Sequence, residues 1–267
     1  MNSCRRTLSM LHKLLIFISI AWIPIAQSAN LPNGFVYLKD IDPSILQDMR
    51  YAGYHNFMGR PVKGYAAKEC ILTKKAALAL HDVQNELKKS DLSLKVYDCY
   101  RPQMAVDDFV IWSKDSSQQS MKTEFYPRID KADAFKLGYI AEKSGHTRGS
   151  TVDLTIVSIP TKQQPTYRRN QPLVACFKSY KIRYHDNSID MGTGYDCFDP
   201  SAHGDNRDIN LVAFQHRQLL RAIMEKYNFV SYPQEWWHFT LKDEPYSDTY
   251  FNFPIVSKKI YFGVRHS

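Results

Sequence analysis

The sequence predicts an α+β fold, a single compact domain whose helices pack on a mainly antiparallel sheet. Three observations carry this. Helical periodicity is confined to a few windows, chiefly Ala76-Leu80-Val83-Leu87 and Leu211-Phe214-Leu219-Ile223. Short β-rich runs at Leu92–Val96, Thr151–Ser158, Phe229–Tyr232 and Trp237–Leu241 do not alternate regularly with helices, as βαβ units would. Finally, 267 residues with 44% hydrophobic and 23% charged side chains, free of internal repeats or composition breaks, suit one core.

Taken in order, residues 1–29 read as an export leader. Arg5, Arg6 and Lys13 precede the apolar run Leu14–Ala26, and Ala26-Gln27-Ser28-Ala29 offers small residues for cleavage. An uncleaved anchor is the alternative. The predicted division is thus a removed leader, 1–29, and a domain at 30–267. It implies a periplasmic or secreted protein with no stable membrane anchor after processing.

Residues 30–64 read as irregular, with turn formers at Pro32-Asn33-Gly34, Asp42-Pro43 and Gly59-Arg60-Pro61. Thr73 suits a helix N-cap, and the helix should run to about Lys89. Leu92, Leu94 and Val96 alternate as in a half-buried strand, which ends at Asp98-Cys99-Tyr100-Arg101-Pro102. Pro102 fits the start of the next helix, bearing Ala105, Phe109 and Trp112. A loop over 114–128 and a helix near Lys131–Lys143 follow, then a tight path shaped by Gly145 and Gly149 into the strand that carries Asp153. Residues 159–190 show little periodicity and read as a long irregular segment able to reshape a pocket rim. Asn206 or Asp208 should open the strongest helix, to about Tyr227, before a final antiparallel pair.

Removing the leader takes away three Lys and Arg and no acid, so the net charge falls from +8 to +5. That charge is scattered, which argues against a nucleic-acid footprint. Cys4 leaves with the leader. The remaining Cys70, Cys99, Cys176 and Cys197 suit two disulfides in an exported protein. Of three possible connectivities, Cys70–Cys99 with Cys176–Cys197 is favoured because each pair brackets a local segment. A cysteine metal site would need closer spacing.

The chemistry concentrates in two stretches. Ser144-Gly145-His146-Thr147-Arg148-Gly149-Ser150-Thr151-Val152-Asp153 offers an imidazole and, seven residues on, a carboxylate within an apolar strand. An Asp there costs free energy unless it is paired or bound to a metal. Far downstream, Glu235-Trp236-Trp237-His238 supplies a second imidazole with a carboxylate three residues before it. Two His and one Asp suit a single Zn²⁺ per chain, and a three-ligand set leaves the fourth tetrahedral position for water. Glu235 is then spaced to act as general base and acid. Arg101, at a strand-to-helix junction, is the candidate donor to developing negative charge. Among nine histidines, His12, His55, His81, His185, His216 and His266 lack a companion pattern, and His203 reads as a structural hydrogen-bonding residue ahead of a ligand.

From about Asp48 to Pro254 the chain resembles the VanX-like D-alanyl-D-alanine dipeptidases, a family of zinc D,D-peptidases. The resemblance lies in Arg50-Tyr51-Ala52, Asn56-Phe57, Asp98-Cys99-Tyr100-Arg101-Pro102, Ser144-x-His146-x-Arg148-Gly149-Ser150-x-x-Asp153-Leu154-Thr155, Met191-Gly192-x-x-x-Asp196 and Glu235-Trp236-Trp237-His238. It implies the compact α+β fold of zinc D,D-peptidases, zinc on His146, Asp153 and His238, Glu235 as general base, and Arg101 as stabiliser of the tetrahedral intermediate. It also implies a pocket for a small D,D-dipeptide, with Tyr51 and Asp196 near the free amine and Ser144 near the carboxylate end. Other readings are a D,D-carboxypeptidase or related wall-peptide peptidase, and a non-enzymatic, zinc-stabilised wall-binding module.

Overall fold

Thr151–Ser158 is the strand around which the chain is built. It is buried along all but its last residue, as a central strand must be. A computed structural model describes residues 31–258. The expected leader at 1–29 therefore lies outside the described residues.

The strands are β1 (Phe35–Tyr37), β2 (Leu46–Gln47), β3 (Ile71–Thr73), β4 (Leu92–Asp98), β5 (Thr151–Ser158), β6 (Phe229–Ser231) and β7 (His238–Leu241). Five form the main sheet in the order β2-β4-β5-β7-β6, and only the β2–β4 pair is parallel. The small β1–β3 pair is antiparallel. Helices α1 (Leu38–Ile41), α2 (Lys74–Lys88), α3 (Gln103–Lys114), α4 (Lys122–Phe125) and α5 (Leu211–Lys226) complete the expected α+β architecture.

Side chains alternate across a strand, so Val152, Leu154 and Ile156 of β5 share one face. They form a single cluster with Leu94 and Val96 of β4 and with Ala76, Leu80, Val83 and Leu87 of α2 and Leu220, Ile223 and Met224 of α5. Burying each such aliphatic chain is worth ~1.5–3 kcal/mol. Asp153 must then point to the opposite side, towards a second cluster rich in aromatics, among them Tyr51, Phe57, Phe109, Trp112 and Phe198. Two cores on either side of one sheet leave the Asp153 side bounded by rings.

Both favoured disulfides are present, Cys70–Cys99 and Cys176–Cys197. The first ties the start of β3 to the end of β4. The second ties the long irregular segment to the loop carrying Asp196. Thr73 caps α2 as expected, its Oγ1 accepting from the Ala76 N–H.

Four expectations need correction. The helix near Lys131–Lys143 does not form; only a 3₁₀ turn at Lys131–Asp133 appears. Gly138 adopts a left-handed φ of +82°, and Lys131 is buried, its Nζ donating to Trp112 O at 2.7 Å and Gln118 O at 2.9 Å to close the end of α3. The region 30–64 is not wholly irregular: β1, α1 and β2 are too short for periodicity to reveal and depend on their partners. The loop at 114–128 contains α4. Helix α5 starts at Leu211, later than expected, because Asn210 is its cap, its Oδ1 accepting from the Ala213 N–H at 2.8 Å. The span 159–190 indeed carries no regular element beyond the end of β5.

Candidate active site

The register of β5 against β7 places Asp153 directly opposite His238. Paired residues of neighbouring strands point to the same face, so an imidazole and a carboxylate meet there by construction. His146 comes from the 3₁₀ turn Gly145–Arg148, capped by Ser144, whose Oγ accepts from the His146 N–H. Gly149 closes the turn at φ +83°; a Cβ there would lie 2.2 Å from the Phe35 ring, so glycine is obligatory.

The imidazole of His146 is fully buried and its Nδ1 lies 2.8 Å from Cys99 O. A carbonyl only accepts, so Nδ1 carries the proton and Nε2 keeps a lone pair for the site. That Nε2 is 3.2 Å from Asp153 Oδ1, and His238 Nδ1 is 3.1 Å from the same oxygen. The two nitrogens are 3.3 Å apart. All three ligand atoms lie within 4.8 Å of one another. Asp153 Oδ1 is buried without a hydrogen-bond partner, whereas Oδ2 accepts from the Tyr195 hydroxyl at 3.0 Å. Burial would raise the Asp153 carboxyl, but the flanking imidazoles overcome this and hold it far below the usual range. Three converging donor atoms, one of them an orphaned carboxylate oxygen, suit a small divalent cation of borderline softness.

Glu235 sits at the turn before β7, with Oε2 3.5 Å from His238 Nδ1. Burial, and then the charges of Asp153 and Asp196, push its carboxyl well above the ordinary value. Arg101 is clamped by Asp98, whose Oδ2 accepts from Nε at 2.9 Å and lies 2.9 Å from Nη2 in an ion pair. Its guanidinium lies 5.1 Å from the ring centres of both Tyr51 and Phe109, and Nη2 is 3.7 Å from Asp153 Oδ2. Burial opposes the charge, but Asp98 holds the guanidinium protonated. The Tyr51 hydroxyl donates to Asp196 Oδ2 at 2.8 Å. Burial, reinforced by the charge of Asp153, pushes Asp196 up to about 8.

These groups share one cavity of about 220 Å³. Tyr51, Arg101, Ser144, Asp153, Asp196, Glu235 and His238 line it, and His146 lies beneath with Nε2 reaching the same point. The eight site residues expected from sequence are therefore brought together. No residue of 159–190 lines this cavity. Asp186 anchors that segment elsewhere, receiving Arg50, Lys95 and Tyr97. His203 stands apart from the His–Asp–His group, 3.5 Å from the Tyr139 hydroxyl, in line with a structural role. Sequence reasoning missed Asp98, Tyr195 and the aromatic walls Tyr139 and Tyr232. Asp98 had one signal, its three-residue offset from Arg101 at the end of a strand.

An α+β fold that gathers two imidazoles and two carboxylates around one point in a solvent-accessible cavity is that of a metallopeptidase. The chain belongs to the peptidase M15 family, described as D-ala-D-ala dipeptidase, whose profile matches residues 32–166 and 174–256. It is similar to D-alanyl-D-alanine dipeptidases of Streptomyces coelicolor (39% identical over 226 residues, 85% of this chain and 100% of the relative) and Enterococcus faecalis (36% over 225 residues, 84% and 100%). A third, from Enterococcus faecium, is 32% identical over 222 residues, 83% of this chain and 98% of that protein.

Proposed function

We propose that the chain is a zinc-dependent dipeptidase that hydrolyses free D-Ala-D-Ala, with one ion held by His146 Nε2, Asp153 Oδ1 and His238 Nδ1. The observation carrying this reading is the orphaned Asp153 Oδ1 facing two imidazole nitrogens. Zinc bound there supplies a Lewis acid that acidifies water and polarises a carbonyl oxygen.

The protein's own groups do the rest. Glu235 Oε2 takes a proton from the attacking water and returns it to the departing amine, so the water's oxygen ends on the new carboxyl carbon as the C–N bond breaks. Arg101, always protonated and preset by Asp98, directs its fork at the oxygen that gains negative charge. Asp196, supported by Tyr51, receives the substrate's ammonium. In the empty pocket Asp196 is pushed towards neutrality, and a bound cation reverses that by pairing. Ser144 Oγ faces the carboxylate end. A cavity of about 220 Å³ is large enough for a dipeptide. The leader-like 1–29 segment and the two disulfides support export to an oxidising compartment. No helix among the described residues is long and apolar enough to cross a membrane.

The test is release of D-alanine from D-Ala-D-Ala and from its N-acetylated form, with and without a chelator. Chelator-sensitive cleavage of the free dipeptide alone is expected. Equal cleavage of the acetylated substrate would favour the carboxypeptidase reading. Zinc retention by both Asp153→Ala and His238→Ala would refute the ligand assignment.

A further inference from the structure

Asp153 holds its two oxygens in unlike surroundings, and one side chain makes the difference. Oδ1 faces the imidazoles of His146 and His238 and has no hydrogen-bond donor. Oδ2 receives the Tyr195 hydroxyl at 3.0 Å, with Arg101 Nη2 more distant at 3.7 Å. The Tyr195 ring has little freedom. It stacks on Tyr97, centroids 4.4 Å apart at 17°, and meets Trp237 edge-on at 5.4 Å. Tyr97's own hydroxyl points away from Asp153 and is engaged by Asp186. Tyr195 is 4% exposed.

We propose that Tyr195 is a positioning residue for the metal site. Its hydroxyl occupies Asp153 Oδ2, so the carboxylate offers the ion a single oxygen. The inference rests on the metal reading given above. A carboxylate free to rotate can bind through both oxygens and take the position that water needs. Holding one oxygen by a hydrogen bond aims the other and keeps that position open. Tyr195 thus acts on ligand geometry and coordination number, not on substrate.

Tyr195→Phe tests this, since it keeps the ring against Tyr97 and Trp237 and removes only the hydroxyl. Tyr97→Phe is the control, because it removes a nearby buried hydroxyl that does not touch Asp153. The zinc Kd of metal-stripped protein is measured by competition with a chromophoric chelator. Tyr195→Phe is expected to weaken zinc by about 10–100-fold, the usual scale for a partner that orients a ligand, and Tyr97→Phe by less than about threefold. Cobalt substitution reads the geometry directly. The native protein should show the strong d–d absorption of a four-coordinate site, and Tyr195→Phe a weaker spectrum as the second oxygen joins. An unchanged Kd in Tyr195→Phe, or an equal loss in Tyr97→Phe, overturns the proposal. So does a weak native cobalt spectrum, which decides the matter even if Tyr195→Phe fails to fold. A native protein that binds neither ion overturns the metal reading itself, whereas tight native binding with an unchanged variant overturns only the role of Tyr195.

Discussion

Replacing Arg101 with Met separates two roles that the structure gives this side chain. The guanidinium is a buried donor beside the reacting centre and also the charge partner of Asp98, which is fully buried. Loss of one preset donor to a developing oxyanion costs ~10²–10³ in kcat, or ~2.7–4 kcal/mol. Breaking a buried pair by deleting one member costs about 3–5 kcal/mol of stability. At roughly 2–4 °C per kcal/mol for a chain of this size, Tm should fall by roughly 6–20 °C. The double variant Asp98→Asn/Arg101→Met removes the stranded carboxylate, while Tyr65, whose hydroxyl donates to Asp98 Oδ1 at 2.6 Å, keeps an acceptor. Its Tm should recover much of the loss and its kcat should not. Turnover is followed by an oxidase-coupled D-alanine assay, beside zinc analysis and a melting curve. A kcat near native with zinc retained refutes the oxyanion role. Recovery of kcat in the double variant would show that Arg101→Met had harmed only the fold.

The remaining predictions address the acid, the pocket's buried carboxylate and the cross-links. Glu235→Gln should keep zinc and lose ~10²–10⁴ in kcat, the range for a positioned proton-transfer group; zinc content measured beside the rate checks it. In the metal-free protein, Asp196 is pushed up to about 8 from the 3.8 of a free aspartate, so its contribution to stability is greatest below pH 3.8 and is lost as pH rises towards 8. Asp196→Asn should therefore flatten the metal-free Tm profile between those limits, and an unchanged slope refutes the assignment. Opening Cys176–Cys197, which spans 21 positions, by paired Ser substitution should cost about 3 kcal/mol, seen as a lower Tm that reductant no longer shifts as far.

The parts of the molecule legible from sequence are those fixed by local chemistry. Thr73 as a cap, the apolar stripe of α2 and the glycine after His146 all declare themselves within a few residues. The three donor atoms were recognisable because a carboxylate in the apolar run Thr151–Val157 demands a partner. Elements that exist only through distant contacts were not legible. β1 has three residues and gains its bonds from β3, paired through Phe35↔Thr73. The helix expected at 131–143 does not form, because Lys131 is buried and closes α3 from within the core. Tyr195 was invisible for the same reason. Its hydroxyl meets Asp153 across 42 residues, and only the folded chain supplies that acceptor.

The pairing of Asp153 with His238 has a consequence beyond catalysis. One rung of the backbone ladder is also one edge of the donor triangle, so a slip of a single residue between β5 and β7 would turn one donor to the wrong side of the sheet. An ion in that triangle would rivet one end of the β5–β7 ladder, and amide protons of both strands should exchange faster once a chelator removes it.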